Sequence, residues 1–255
     1  MNTFKLSHVQ RISLAGIFLA LIIVFTKVLS IQNLPALPFV RISIGPALII
    51  FSSITLGPIY GGIVGGLSDL LGYFIVDFTG LPPYYLITLQ YLLLGFCSFF
   101  VIKLFSLIKR PSISLIVNIS LMSIIYIALL IYLTYQDHIT LSGGASFVLE
   151  NWMKIVTAIV VFILFALLYV FVYLIHRYFK KKNEDKIPLF SLLNAITVLE
   201  ILFPLFLGSA LKTYYFEVPF LIIFMAQAIV FFIDIPLYFF FIILLLRLIS
   251  RYYKR

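Results

Sequence analysis

The chain has 255 residues, of which 64% are hydrophobic and only 11% are charged. A soluble domain carries about 25% charged residues, so this chain cannot cover itself with a water-facing surface and is expected in a bilayer. Its net charge of +9 does not indicate nucleic-acid binding, because the basic residues stand between apolar runs and at the chain ends, as membrane topology requires. The single cysteine, Cys97, excludes an intrachain disulfide and a cysteine metal site.

Eight apolar segments are candidates for the membrane, judged against the ~20 residues of a spanning helix. They run over about 11–30, 46–57, 60–78, 86–108, 112–134, 154–178, 188–211 and 219–247. The second is too short to cross upright, so we expect it to cross aslant or to form a partial helix shielded by its neighbours. The eighth is longer than a span and contains Pro236, which predicts a kink or an extension into the interface.

The placement of lysine and arginine predicts that both chain ends are cytoplasmic. With eight spans and the N-terminus inside, fourteen of the eighteen basic residues fall on the inner side, which is the side favoured for positive charge. The basic residues at or near the outer side are Lys27, Arg41, Lys154 and Lys212. The predicted outer loops are 31–45, 78–85, 135–153 and 212–218. No loop holds a soluble domain, so residues 1–255 are expected to form a single transmembrane domain.

Small residues mark two of the apolar segments. Gly61, Gly62, Gly65 and Gly66 form two overlapping Gly-x-x-x-Gly pairs after the Gly57-Pro58 break. A phosphate-binding loop is excluded because no Lys-Ser/Thr follows and the glycines lie within an apolar segment, so the pattern favours tight helix packing. In the first segment Gly16 and Ala20 stand four apart, which suits either docking of another helix or ordinary packing within the chain.

Ionisable residues within apolar segments are costly and are candidates for function. Asp69, Glu200 and Asp234 are of this kind, and the alternative for each is a hydrogen-bonding partner inside the bundle. Arg41 lies in an otherwise apolar outer loop, where it is suited to clamping a carboxylate, stacking on a flat ring or snorkelling to the interface. Because positive charge on the outer side opposes the topology bias, the pattern favours function. No hydrolytic triad, zinc motif or nucleotide-binding loop is present, so we expect neither an enzyme nor a metal or cofactor.

The order of these features resembles the substrate-binding (S) component of an energy-coupling factor (ECF) vitamin transporter, most like the folate-family S components. The Gly16/Ala20 pair comes first, followed by a loop that ends in Val40-Arg41-Ile42-Ser43-Ile44-Gly45. Leu56-Gly57-Pro58 then leads through the glycine-rich segment to Asp69 and Gly72. The resemblance covers Ile12 to about Leu94 and returns more weakly over Pro219–Tyr238.

The resemblance implies an all-α integral membrane protein, a helical bundle with the six-helix core of an S component. Two additional transmembrane helices would bring the total to eight, with the core over about 11–108 and 188–250 and the inserted pair over about 112–178. It also implies a vitamin site on the outer side and docking on a transmembrane coupling subunit that two ATPase subunits drive. Gly16 and Ala20 match the docking surface of the family, and ATP hydrolysis would belong to the other chains.

The resemblance also implies a ligand and a site. Folate is the leading expectation, although Gln227 and Val230 stand where the folate family is expected to carry bases. One alternative is another vitamin or precursor, thiamine-like, cationic or neutral; an alternative of another class is a membrane scaffold or assembly subunit without a ligand. Arg41 and Ser43 are expected to contact the ligand from the loop. The ring-stacking candidates are Phe39, Tyr84 and Tyr85, and the candidates for polar contacts are Asp69, Glu200, Gln227 and Asp234.

Overall fold

The computed structural model describes residues 7–31, 41–76, 83–108, 110–135, 138–140, 146–148, 150–181 and 189–252. Over these residues the chain forms eight helices and one short hairpin. The helices are α1 His8–Val28, α2 Gly45–Leu56, α3 Pro58–Ile75, α4 Tyr85–Phe105, α5 Pro111–Tyr135, α6 Asn151–Lys181, α7 Leu189–Phe216 and α8 Phe220–Tyr252. In the hairpin, β1 (His138–Thr140) pairs antiparallel with β2 (Ser146–Val148). The predicted eight-helix membrane bundle is confirmed, and α1, α4, α5, α6, α7 and α8 are long and apolar enough to cross a bilayer.

The short helix α2 lies at the centre of the bundle. All twelve of its residues are buried, and at ~1.5 Å per residue it extends only ~18 Å, well short of the ~30 Å hydrocarbon core. Of the two expected arrangements, the partial helix shielded by its neighbours is therefore the one found. The helix ends at Gly57, whose φ of +98° is rarely adopted by residues with a side chain, and Pro58 then begins α3.

The glycines of α3 bring its backbone against α4. A Cβ atom on Gly95 of α4 would lie 2.1 Å from the Gly61 carbonyl oxygen, and one on Gly65 would lie 2.3 Å from the Tyr91 carbonyl oxygen. Such distances leave no room for a methyl group, so the helices touch backbone to backbone. The interpretation of the glycine pattern as helix packing is confirmed.

Helices α5 and α6 lie at the edge of the bundle. The helix α5 packs against α7 and α8, and α6 packs against α5 and α8. A buried polar seam joins them, because Asn118 of α5 donates to Thr197 of α7 at 2.8 Å and accepts from the Tyr169 hydroxyl of α6 at 2.8 Å. Interhelical hydrogen bonds of this kind hold transmembrane helices together.

The closest backbone approach gives a test of this packing. We expect Gly95→Ala to destabilise the folded protein by about 1–3 kcal/mol, because the added methyl group forces α3 and α4 apart. The matched control is Gly16→Ala, where an added Cβ has nothing within 4 Å. The thermal unfolding midpoint in detergent measures both, and equal midpoints for the two variants would contradict the close contact.

Candidate ligand-binding site

A cavity opens where the start of α2 meets α4, α7 and α8. It encloses about 740 Å³ of space, its open mouth included. Its lining residues are Arg41, Ser43, Pro46, Ile87, Gln90, Tyr91, Glu200, Pro204, Leu205, Gly208, Lys212, Gln227, Val230, Phe231, Asp234 and Tyr238. The cavity lies at the end of the bundle where α7 passes into α8 and α1 leads towards α2, which is the end predicted to be on the outer side.

The structure brings five of the predicted ligand contacts to this cavity, namely Arg41, Ser43, Glu200, Gln227 and Asp234. Two of them come from the segment that precedes α2, one from α7 and two from α8. Residues more than 150 positions apart in the sequence therefore line one space. Their contact with a ligand stays a prediction, and Phe39 lies outside the described residues.

The segment before α2 is fixed to the end of α1. The last turn of α1, Val24–Val28, is a π-helix, and the carbonyl oxygens near it accept bonds from outside the helix. The Ser43 hydroxyl donates to the Phe25 carbonyl at 3.2 Å, and Arg41 Nη1 donates to the Thr26 carbonyl at 3.2 Å. A pair of backbone bonds between Ile31 and Ile42, each 3.0 Å long, completes the attachment. Arg41 is thus held at the cavity by the end of α1.

Two buried carboxyl groups line the cavity, and one oxygen of each has no hydrogen-bond partner among the described residues. Glu200 is only 1% exposed and Asp234 only 6%. Glu200 Oε1 and Asp234 Oδ1 have no hydrogen-bond partner among the described residues, although the Tyr238 hydroxyl bonds to the Asp234 side chain. A buried polar atom without a partner is costly, so these oxygens favour a ligand that supplies hydrogen-bond donors.

Two glutamines bind the irregular middle of α7. Its segment Ile201–Gly208 is a π-helix that contains Pro204. Gln90 of α4 donates its amide N–H to the Phe203 carbonyl at 3.0 Å. The Gln227 amide of α8 satisfies both of its neighbours when its nitrogen donates to the Pro204 carbonyl and its oxygen accepts from Lys212 Nζ at 3.0 Å. The wide turn of α7 is therefore bonded on two sides by side chains that also line the cavity.

The cavity is lined by equal numbers of basic and acidic side chains. Arg41 and Lys212 are basic residues, and Glu200 and Asp234 are acidic ones, so the formal charges cancel. Buried charges persist in proteins when they are paired or hydrogen-bonded. The arrangement therefore suits a ligand without net charge that offers several hydrogen-bonding groups, and its polar centre is bordered by the rings of Tyr91, Phe231 and Tyr238.

A comparison with protein families identifies the family of the chain. A family model described as the S component of an ECF-type riboflavin transporter matches residues 6–173, about two thirds of the chain. The chain belongs to this family. It is a multi-pass membrane protein and the substrate-binding subunit of a vitamin transporter, as the sequence resemblance implied, although the match does not extend to a folate-like subtype. No curated protein and no solved structure matches the chain.

The family match and the cavity cover different parts of this S component. The match ends before α7 and α8, which supply ten of the sixteen lining residues. It includes α5 and most of α6, from which no described residue lines the cavity. The division into a six-helix core and an inserted pair over 112–178 stays a prediction.

Sequence reasoning missed several residues that line the cavity of this S component. Lys212 could have been found by the criterion that identified Arg41, because both are basic residues on the predicted outer side, against the topology bias. Gln90 is an amide within an apolar helix, which is a weaker signal of the same kind. Tyr91 and Tyr238 carried none, since they are two of sixteen tyrosines in a chain rich in aromatic residues.

Asp69 belongs to a neighbouring polar cluster. Its Oδ1 lies 3.8 Å from Lys27 Nζ of α1 and its Oδ2 accepts from the Thr88 hydroxyl of α4 at 2.7 Å. The cluster borders a smaller cavity of about 220 Å³ that shares Arg41 and Tyr91 with the larger one. Asp69 thus joins α1, α3 and α4 beside the main cavity, and its contact with a ligand stays a prediction.

The two predicted stacking tyrosines do not line the cavity either. Tyr84 packs on the Tyr215 ring with centroids 4.6 Å apart and on the Phe216 ring at 5.7 Å. Tyr85 is 62% exposed. Tyr84 thus ties the start of α4 to the end of α7, and ring stacking on a ligand by either tyrosine stays an untested expectation.

The buried ion pair of α1 and α3 gives a stability test. Asp69→Leu removes the attraction to Lys27 and the hydrogen bond from Thr88, so we expect it to lower stability by about 2 kcal/mol, a value reduced because Asp69 keeps some exposure. Adding Lys27→Met should cost less in the Asp69→Leu variant than in the native sequence, because the ion pair is already broken there. Thermal unfolding of the two single variants and the double variant measures the coupling, and strictly additive effects would contradict an interaction between the two side chains.

Proposed function

We propose that this S component binds riboflavin in the cavity between α2, α4, α7 and α8. The observation that carries the proposal is the presence of two basic side chains and two carboxyl groups around the cavity, together with two carboxyl oxygens that have no partner in the described part of the chain. The family description, which names riboflavin, supports the same ligand.

The chemistry of riboflavin fits these groups. It is neutral, so it leaves the formal charge balance of the cavity undisturbed. Its ring N–H and side-chain hydroxyls are donors that would satisfy Glu200 Oε1 and Asp234 Oδ1, while its ring carbonyls are acceptors for Arg41 and Lys212. Its flat ring system suits a space bordered by Tyr91 and Phe231.

The other expected ligands fit less well. Folate would bring two negative charges into a cavity that already holds Glu200 and Asp234, and like charges at close range repel. A thiamine-like cation would meet Arg41 and Lys212 in the same way. In a scaffold subunit without a ligand, the buried oxygens Glu200 Oε1 and Asp234 Oδ1, which have no partner among the described residues, would stay unsatisfied at a cost in stability. Folate and cationic vitamins therefore remain the alternatives against which riboflavin is tested.

A binding comparison checks the ligand. We expect riboflavin, and neither folate nor thiamine, to raise the thermal unfolding midpoint of the purified protein, since a ligand at 100 times its Kd adds about 2.7 kcal/mol of stability. Lys212→Met and Glu200→Gln should each weaken riboflavin binding by at least about tenfold, because each removes a charge-assisted hydrogen bond. The matched control is Lys154→Met, a lysine of α6 that does not line the cavity. A shift with folate alone would replace riboflavin by folate, and no shift with any vitamin would remove the binding role.

We propose further that Gly16 and Ala20 form the surface on which the coupling subunit docks. Both are exposed on α1, and a Cβ on Gly16 would have nothing within 4 Å. The contrast with Gly61 and Gly95 supports an external partner, because those glycines meet backbone of their own chain. With both chain ends cytoplasmic, the cavity would face outwards and α1 would present this surface within the membrane.

The docking surface is tested by enlarging it. Gly16→Leu and Ala20→Leu together should abolish copurification with the coupling subunit and its two ATPase subunits, because a close helix approach needs small residues. Riboflavin binding should be unchanged, since α1 residues 16 and 20 do not line the cavity. Ala166→Leu, on the exposed side of α6, serves as the matched control. Full copurification of the double variant would exclude this surface.

A further inference from the structure

The wide turn of α7 determines which side chains of that helix face the cavity. Glu200 precedes the π-helical segment Ile201–Gly208 directly, and Lys212 follows it. The two residues are twelve positions apart, which in a regular α-helix of ~3.6 residues per turn places them about 120° apart around the axis. Both nevertheless line the same cavity.

The π-helix explains this arrangement. A π-type bond encloses one residue more than an α-type bond, so a single wide turn absorbs one residue of the helix. That change reduces the angle between Glu200 and Lys212 to about 20°. The carboxyl group and the ammonium group therefore come to one side of α7 because the turn between them is wide.

Side chains from the neighbouring helices bind this turn. Phe203 and Pro204 offer adjacent carbonyl oxygens, which accept from Gln90 of α4 and Gln227 of α8 respectively. Each glutamine is only 7% exposed. Gly208 lies between the two amides, where an added Cβ would be 3.1 Å from Gln90 Nε2 and 3.5 Å from the Gln227 side-chain amide. The absence of a side chain at Gly208 thus leaves room for the Gln90 amide close to α7.

We propose that Gln90 and Gln227 are positioning residues that hold the wide turn of α7 and so keep Glu200 and Lys212 on the cavity side of that helix. A carbonyl that bonds to a side chain has less need of the N–H four residues ahead, so the amides favour the π-helix over a regular helix. Gln227 bonds both to the π-helix and to the residue that the π-helix positions, because its nitrogen donates to the Pro204 carbonyl and its oxygen accepts from Lys212. The inference rests on the proposed function for its affinity measurement only.

The first measurement needs no ligand. In a Cys97→Ala background, Lys212→Cys places a thiol at the cavity, and a small water-soluble methanethiosulfonate reagent labels it from the cavity mouth. We expect Gln90→Met to slow this labelling by at least about fivefold, because a tightened turn rotates position 212 away from the cavity. The matched control is Ser98→Ala, a buried polar residue of α4 whose hydroxyl bonds within its own helix to the Leu94 carbonyl at 2.5 Å. Gln90→Asn, which is too short to reach Phe203, replaces Gln90→Met if the latter does not fold.

The second measurement is a double-mutant cycle on riboflavin affinity. Lys212→Met should weaken binding at least about tenfold in the native sequence and less than about threefold when Gln90 is already methionine, because Lys212 then no longer faces the ligand. A merely structural glutamine would give additive effects. Unchanged labelling or an additive cycle overturns the inference. If riboflavin does not bind at all, the proposed function fails, and the labelling rates still decide the role of Gln90.

Discussion

The structure depends on the requirement that every backbone polar group within a bilayer finds a partner inside the protein. No water is present in the hydrocarbon core to bond a stray carbonyl, so each departure from a regular helix must be matched by a side chain. The π-helical turn at the end of α1 is matched by Arg41 and Ser43. The π-helix in α7 is matched by Gln90 and Gln227. Irregular backbone and buried polar side chains therefore occur together.

The π-helix of α7 borders the cavity, and the two side chains that bond to the end of α1 line it. Polar residues of this apolar chain therefore gather there. Regular helices of the bundle pack mainly through apolar or small residues, as the contact of Gly61 with Gly95 illustrates, with a few hydrogen bonds such as that of Asn118 with Thr197. A cavity for a water-soluble vitamin needs the opposite, namely donors and acceptors held at fixed positions. The side chains that satisfy the irregular backbone also line the cavity, so one set of residues supports the fold and furnishes the site.

Much of the fold was predictable from the sequence, because hydropathy and basic-residue placement respond to the bilayer and not to tertiary detail. The eight segments and the packing role of Gly65 follow from length and spacing, whereas the short second segment was compatible with two arrangements and only the structure shows that it is a shielded partial helix. The site was predictable in part. Deep carboxyl groups such as Glu200 stand out in an apolar segment, whereas Lys212 was interpreted only as a residue of the outer side. Its place at the cavity depends on the wide turn before it, which a constant helical period does not reveal.

The same limit explains why the ligand was harder to predict than the family. An inference from individual positions notes that bases are absent at Gln227 and Val230 and that an acid is present at Glu200. It does not reveal the net charge of the cavity. That charge is a property of four residues from three separate parts of the chain, and Arg41 and Lys212 meet the two acids only in the folded bundle. Once the cations and carboxyl groups are seen together, the missing bases no longer argue for an acidic pocket. They suit the neutral ligand proposed above, which Glu200 Oε1 and Asp234 Oδ1, without a partner among the described residues, would select by its hydrogen-bond donors and not by its charge.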